Sequence, residues 1–287
     1  MTLPIPRAAT SNLDYFGLLV ADDQQFALLE AAIAVAQDED PSLDPSSVLA
    51  RIDGLAQRLK RRIAADASAS QRLRLLNHFF FRELGFEGNV NDFYAVGNSY
   101  LHRVLDSRRG IPITLALLLM EIGTQLGLKM SGISFPGHYL VKCSLPQGEV
   151  VIDPFSGRSL SREDLDERLQ PYRQQQGLVG DFEVPLGLFL QSATPRETLT
   201  RLLRNLKEIH RSAEDWPRLL SVMDRLVRVV PQDWSERRDR ALVMAELEQW
   251  AAAVEELDLY LSHEPHADDA QALTERLAEL RRLAQLH

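Results

Sequence analysis

A repeat near the C-terminus constrains the fold of this 287-residue chain more than any other feature. Trp216 and Trp250 lie 34 residues apart, and Pro231 and Pro265 show the same offset. Apolar residues also match at this offset: Leu220 with Val254, Met223 with Leu257, Leu226 with Tyr260 and Val227 with Leu261. A 34-residue period with a proline after the second helix is typical of stacked antiparallel helix pairs. We therefore predict an all-α C-terminal region.

This period resembles that of the tetratricopeptide repeat. In that frame, Ala241 and Ala253 occupy the small-residue positions where the two helices of a repeat touch. We predict repeats at about 200–233 and 234–267, followed by a capping helix, within a helical region that covers 195–287. Because two repeats are few for a stack that stands alone, they are expected to pack on the rest of the chain.

The residues upstream of the repeat show helical patterns first. Asp44-Pro45-Ser46 predicts the start of one helix, and Ser68 and Ser70 are both candidates to cap a second helix that ends near Gly85. Pro112 stands where proline begins a helix, and the apolar run after it closes at Gly127. Because this run is apolar on nearly all faces, we expect a buried helix in the middle of a domain.

Strand patterns follow the helical ones. Met130–Phe135, Tyr139–Cys143 and Val150–Asp153 have the composition and punctuation of strands. Helices followed by a small antiparallel sheet define an α+β fold. We predict one region over 1–185, in which a helical N-terminal part precedes the α+β core.

A histidine and an aspartate are predicted to meet in the hairpin of this sheet. If Ser144–Gln147 is a four-residue loop, Cys143 pairs with Gly148, and His138 lies directly opposite Asp153 with Cβ atoms about 5 Å apart. A carboxylate beside an imidazole can hold its tautomer and raise its basicity, as in half of a catalytic triad. A structural hydrogen bond that closes the hairpin is the alternative.

The order of three motifs resembles the transglutaminase-like superfamily, which has a papain-like fold and a Cys-His-Asp triad. These motifs are Gly110-Ile111-Pro112-Ile113-Thr114-Leu115-Ala116, Gly137-His138-Tyr139 and Asp153-Pro154. Over about 45–285, the chain is also similar to the bacterial SirB-type family, a transglutaminase-like core followed by tetratricopeptide repeats. The matching segments are Asn98-Ser99-Tyr100-Leu101, Val104-Leu105, Arg109-Gly110-Ile111-Pro112-Ile113, Pro136-Gly137-His138-Tyr139-Leu140, Ile152-Asp153-Pro154-Phe155 and Leu203-Arg204-Asn205-Leu206-Lys207.

The resemblance places Pro112 at the position of the catalytic cysteine. Proline has no nucleophilic atom, so covalent acyl transfer lacks its attacking group. It also has no backbone N–H, and an oxyanion-hole donor is typically worth about 3 kcal/mol. Cys143, the only cysteine, lies five residues after His138 and faces the other side of the strand, so it does not replace the missing thiol. Thiol transglutaminase or protease chemistry is therefore not expected.

Four further residues are candidates for a pocket beside His138 and Asp153. They are Asn98, Ser99, Arg109 and Tyr139. Ser99 could replace the nucleophile, although Asn98 and Ser99 fit better as a pair that caps the helix running toward Asp106. Arg109 could bind a carboxylate or phosphate, or it could pair with Asp106.

Composition limits the classes of ligand. A net charge of −9 argues against general nucleic-acid binding, because such affinity comes from clustered cations. No apolar run reaches 18 residues and no signal-peptide pattern opens the chain, so we expect no membrane span and a cytoplasmic location. Neither a Gly-rich phosphate loop nor His-Glu-x-x-His occurs, so no cofactor or metal is expected.

Three functions are compatible with the sequence. The favoured interpretation is a catalytically degenerate transglutaminase-like protein that binds a protein or peptide or acts as a regulatory module. The alternative is a hydrolase of amide or ester bonds that uses His138 and Asp153 to activate water or a hydroxyl. A third is a ligand-binding domain in which Asn98, Arg109 and His138 hold a small anion.

Overall fold

The computed structural model describes residues 11–178, 180 and 184–286. These residues form two compact units. The core unit contains 27–36 and the described part of 42–202, and the repeat unit contains 11–26, 37–41 and 203–286. The sequence prediction grouped the whole of 1–185 together, whereas in the structure 11–26 and 37–41 belong with the repeats.

Thirteen α-helices are present in the described residues. They are α1 Asn12–Val20, α2 Leu28–Ala34, α3 Pro45–Lys60, α4 Ala69–Asn77, α5 Leu101–Ser107, α6 Pro112–Gln125, α7 Arg162–Gln175, α8 Leu186–Phe189, α9 Pro195–Ser212, α10 Trp216–Val229, α11 Trp234–Glu246, α12 Trp250–His263 and α13 Ala270–Leu286. The predicted start of α3 is confirmed, and of the two candidate caps of α4 the structure uses Ser68. The Asp44 carboxylate accepts the N–H groups of Ser46 and Ser47, and Ser68 forms a reciprocal capping box with Gln71.

The helix predicted to end near Gly85 is shorter than expected. Regular α4 stops at Asn77, and a π-helical turn, His78–Glu83, continues the chain. Both Phe79 and Phe80 are buried, and the ring of Phe80 stacks on Phe86 with centroids 4.4 Å apart. The wider turn accommodates two adjacent aromatic side chains in the core, which explains why the regular helix gives way here.

The central element of the core unit is α6. Pro112 is its first residue, and Gly127 follows its end with a left-handed φ of 78°, as the sequence predicted. The helix packs against α3, α4 and α5, so nearly its whole surface is buried. In the described part of the chain, no helix is both long enough and apolar enough to cross a bilayer.

Two small sheets complete the core unit. Strands β1 (Glu87–Gly88) and β2 (Arg109–Gly110) pair in parallel. Strands β3 (Lys129–Ile133), β4 (Leu140–Leu145), β5 (Gly148–Asp153) and β6 (Arg158–Leu160) form an antiparallel sheet in that spatial order. The predicted antiparallel sheet is confirmed, and β6 extends it beyond the prediction.

The hairpin between β4 and β5 has a shorter loop than predicted. Leu145 pairs with Gly148, so only Pro146 and Gln147 form the turn, and Cys143 pairs with Val150 instead of Gly148. Gly148, directly after this turn, has a φ of 137°, a conformation that essentially only glycine adopts. The four-residue loop and the direct pairing of His138 with Asp153 are therefore wrong.

The repeat unit shows the 34-residue period in its backbone. Trp216 and Trp250 are the first residues of α10 and α12. The turns before these helices contain Glu214 and Glu248, which both adopt a left-handed φ, 53° and 59°. Ala241 is fully buried, as expected for a position where helices touch. The N-terminal α1 packs against α10 and so belongs to the same unit as the repeats.

Candidate functional site

Asp153 is the centre of the candidate site. It is the last residue of β5 and only 3% exposed. Its Oδ1 accepts hydrogen bonds from His138 Nε2 at 2.8 Å and from the N–H of Phe155 at 3.0 Å. Its Oδ2 accepts from Ser156 Oγ at 2.9 Å and from Arg168 Nη2 at 3.1 Å. Four donors fix the orientation of one buried carboxylate.

His138 approaches this carboxylate from a loop, because β4 begins two residues later. Gly137 precedes it with a left-handed φ of 68°, and the N–H of His138 donates to the carbonyl of Phe135 at 3.0 Å. The side chain is 23% exposed. Its ring meets Phe155 edge-on with centroids 6.3 Å apart. The two side chains thus make the contact expected from the sequence, although not as a cross-strand pair.

Electrostatics keep Asp153 ionised. Burial raises the pKa of this carboxyl, but the hydrogen bond and the charge of His138, with the donors Ser156 and Phe155, lower it further, so it lies well below its usual range. An ionised carboxylate only accepts hydrogen bonds, so Nε2 of His138 carries the proton between them. When the ring is neutral, Nδ1 is the unprotonated nitrogen. Among the described residues, none forms a hydrogen bond to Nδ1.

Pro112 is buried at the start of α6. The Thr114 hydroxyl, two residues later, accepts the N–H of Ile111 at 3.2 Å and lies 2.8 Å from the carbonyl oxygen of Asn98. Proline at the first helical position has neither a backbone N–H nor a reactive side-chain atom of its own. The N-terminus of α6 is thus closed by Thr114 and Pro112.

Asn98 and Ser99 do not cap α5 and do not present their side chains to a ligand. Tyr100 is the N-cap residue. The amide of Asn98 donates to the carbonyls of Asp92 and Phe93 and accepts from Asn89, so it secures the preceding loop. Ser99 is 0% exposed, and its hydroxyl has no hydrogen-bond partner among the described residues. The helix-cap prediction is wrong because the side chain of Asn98 turns back to its own loop.

Arg109 is engaged away from His138. Its guanidinium pairs with Glu87 at 2.6 Å and donates to the carbonyl of Gly85 at 3.0 Å. Asp106, the other partner predicted for it, pairs with Arg51. Arg109 and Asn98 both make structural contacts. Of the three residues predicted to bind an anion, only His138 is therefore available.

Tyr139 is a core residue. Its side chain is buried, and its hydroxyl lies 2.7 Å from Oγ1 of Thr198. Burial raises the pKa of Tyr139 to about 12, so the phenol stays protonated. Its hydroxyl is thus occupied by a structural contact, and the prediction that it lines the pocket is not supported by this geometry.

The structure adds residues that the sequence did not reveal. Arg168, on α7, reaches Asp153 although no motif surrounds it. Phe93 and Tyr94, 41% and 77% exposed, lie in the loop that Asn98 secures. The ring of Phe93 lies 5.8 Å from that of Phe155, which in turn contacts His138. The sequence signal for this group is limited to two adjacent aromatic residues in a polar loop.

No group of three or more His, Cys, Asp or Glu side chains is placed to hold a metal ion within 11–178, 180 and 184–286. Cys143 is buried, and burial raises the pKa of its thiol. The site therefore consists of an imidazole, a carboxylate and a guanidinium beside aromatic rings.

Comparison with known families agrees with this architecture. Residues 46–204 match the transglutaminase-like superfamily, and residues 206–278 match the tetratricopeptide repeat. The fold and the His–Asp pair thus define a transglutaminase-like protein that carries C-terminal tetratricopeptide repeats.

Full-length relatives narrow this class, and the chain belongs to the family of UPF0162 proteins. It is 32% identical to the UPF0162 protein of Xylella fastidiosa strain 9a5c, over 92% of this chain and 93% of that protein. It is 31% identical to UPF0162 protein PA3419 of Pseudomonas aeruginosa, over 88% and 91% of the two chains. UPF0162 protein YchA of Escherichia coli K12 is 27% identical over 78% and 81%. No solved structure matches the chain significantly.

Proposed function

We propose that this chain is a catalytically degenerate transglutaminase-like protein that binds a protein or peptide partner without forming a covalent intermediate. The observation that carries the proposal is Pro112, the buried first residue of α6. In the superfamily pattern, this position supplies both the attacking thiol and a backbone N–H for the oxyanion. Proline supplies neither, so acyl transfer has lost its nucleophile and one donor.

The remaining side chains suit recognition of a peptide. His138 offers an unengaged ring nitrogen, and Phe93, Tyr94 and Phe155 form a row of rings that leads from solvent to His138. Peptide sites commonly combine apolar or aromatic walls with a few fixed polar groups. Stacked helix pairs such as those of the repeat unit form surfaces suited to protein partners. The SirB-type assignment, which rests on the sequence motifs, is part of the same proposal. A cytoplasmic location is also part of it.

A peptide-display experiment on the full chain tests this proposal. Peptides selected by the wild-type protein should bind at least tenfold more weakly to His138→Ala or to Tyr94→Ala, and mass spectrometry should recover them intact. His266→Ala is a matched control, because it removes an exposed histidine of the repeat unit. Selected peptides that bind His138→Ala as tightly as wild type would contradict a binding site at this position.

A hydrolase is the second candidate, and the ionisation of Asp153 favours it. The carboxylate holds Nε2–H, so Nδ1 of neutral His138 can accept a proton from water as its oxygen attacks an amide or ester carbonyl. A panel of peptide and ester substrates separates the two candidates. Turnover that falls by about 10²–10⁴-fold in His138→Ala and persists in His266→Ala would establish the hydrolase. Turnover that survives in His138→Ala would exclude this site as its source.

A further inference from the structure

Asp153 has a cationic partner that the superfamily triad does not require. His138 binds Oδ1 of this carboxylate, and Arg168 binds Oδ2 at 3.1 Å. The carboxylate side chain is 4% exposed, whereas that of Arg168 is 36% exposed. The guanidinium therefore approaches from the solvent side and neutralises a carboxylate that has almost no contact with water.

The charge balance around His138 follows from this arrangement. Arg168 is protonated at all physiological pH values, so the Asp153 charge is already compensated. Protonation of His138 would add a second cation beside one carboxylate. Two further cations belong to residues next to the site in the fold: Arg158 is the backbone register partner of Asp153 between β5 and β6, and Arg201 donates at 2.9 Å to the Phe135 carbonyl that the backbone N–H of His138 also binds. Like charges in a poorly hydrated site disfavour the charged imidazole.

We infer that Arg168 is a positioning residue that fixes Asp153 for His138 and keeps the imidazole neutral, with Nε2 protonated and Nδ1 offered as an acceptor. The site then selects ligands that donate a hydrogen bond, such as a peptide N–H, over anions. This inference deepens the proposed function, because it rests on His138 as the ligand-contacting group. It holds for peptide binding and for hydrolysis alike, since both use the same unprotonated nitrogen.

Nitrogen-15 NMR of histidine-labelled full-length protein tests the inference without any ligand. His138→Gln identifies the His138 signals among those of the seven histidines. In the wild type at pH 7, we expect a neutral ring with the proton on Nε2. Arg168→Gln should raise the proton affinity of His138 about three- to tenfold, a shift of half to one pH unit in its titration midpoint. Arg168→Lys, which keeps the charge, should restore most of the wild-type midpoint.

Arg158→Gln is the matched control. Arg158 is exposed and lies next to Asp153 in the sheet, but it forms no hydrogen bond to the carboxylate. Its removal should shift the midpoint by less than half as much as Arg168→Gln. Equal shifts in the two variants, or no shift in Arg168→Gln, would overturn the positioning role. A wild-type ring that is charged at pH 7 or protonated on Nδ1 would also overturn it, even where Arg168→Gln fails to fold.

A negative peptide-display result leaves this inference intact, since the titration needs no partner. The converse result is a selected peptide that binds through His138 while Arg168→Gln leaves the titration midpoint of His138 unchanged. That combination would support the proposed function and contradict the inference. The two experiments therefore fail independently.

Discussion

The carboxylate of Asp153 is buried, ionised and fully hydrogen-bonded, and a group in this state makes the stability of the fold depend on pH. Its folded-state pKa lies below that of an unfolded aspartate. The stabilisation is therefore complete above the unfolded pKa, about 3.9, and is lost as the pH falls below it toward the folded pKa. The hydrogen bonds of one residue thus set part of the acid sensitivity of the molecule.

Asp153→Asn should lower the free energy of unfolding by about 2–3 kcal/mol at pH 7, with the difference from wild type shrinking below about pH 4. The reason is that the amide oxygen can still accept the hydrogen bond from His138 Nε2, whereas the negative charge that the Arg168 guanidinium and the other donors stabilise is lost. Urea denaturation between pH 3 and pH 7 measures this. A difference that stays constant over that range would show that the charge contributes nothing.

The sequence located His138 and Asp153 but not the residues around them. Both belong to short motifs, Gly-His-Tyr and Asp-Pro, whose order is visible without any structure. Arg168 lies in an ordinary helix, so only the fold brings it to the carboxylate. Asn98 and Arg109 were predicted to line the pocket because they are polar residues near the motifs. Polar residues in loops often form hydrogen bonds to neighbouring backbone, as these two do.

Among the elements, the short strand β1 controls the surroundings of His138. Gly88 donates its N–H to the Phe155 carbonyl at 2.9 Å, and a Cβ at Gly88 would overlap the Phe155 ring. That ring contacts His138 and Phe93. A strand of two residues therefore sets the position of the aromatic wall.

Gly88→Ala should destabilise the chain by about 1–3 kcal/mol, because overpacking forces the Phe155 ring to move. Gly54→Ala is its control, since Gly54 is exposed within α3 and a Cβ there meets no atom within 4 Å. That substitution should stabilise by about 0.5–1 kcal/mol through helix propensity. Thermal denaturation of both variants checks the pair, and an unchanged melting temperature in Gly88→Ala would contradict the close approach.

Prediction of the elements succeeded where a local pattern decides the structure. The caps at Asp44 and Ser68, the buried α6 and the 34-residue repeat all have such patterns. The hairpin register depended on the loop length, two residues and not four, which the composition of the loop does not specify. The strands β1 and β2 have two residues each, too short for any periodicity.

At the scale of the whole molecule, residues near the N-terminus complete the repeat unit. Arg225 on α10 is 0% exposed, forms two hydrogen bonds to Asp38 at 2.8 and 2.6 Å, and lies over the Phe16 ring. Asp38 and Arg225 are 187 residues apart in sequence. No local sequence pattern indicates a contact over this distance in the chain. The grouping of the N-terminal segment with the repeats could therefore not be predicted.

Asp38→Ala should destabilise the protein by about 3–5 kcal/mol, because it leaves the buried guanidinium of Arg225 without its partner. The double variant Asp38→Ala with Arg225→Met should recover much of this loss, since an apolar side chain of similar length can fill the site. Chemical denaturation of the two single variants and the double variant forms the test. A double variant no more stable than Asp38→Ala would show that the charge is not the cause.

The separation of Asp38 and Arg225 in the chain also determines when their contact can form during synthesis. Ribosomes add about 5–20 residues per second, so Arg225 follows Asp38 by roughly 10–40 s. Throughout that interval α1 lacks α10, the helix against which it packs, whereas all residues of the core unit precede Arg225 in the chain. A segment that precedes the core unit in the chain is thus buried only after the whole core unit has been synthesised.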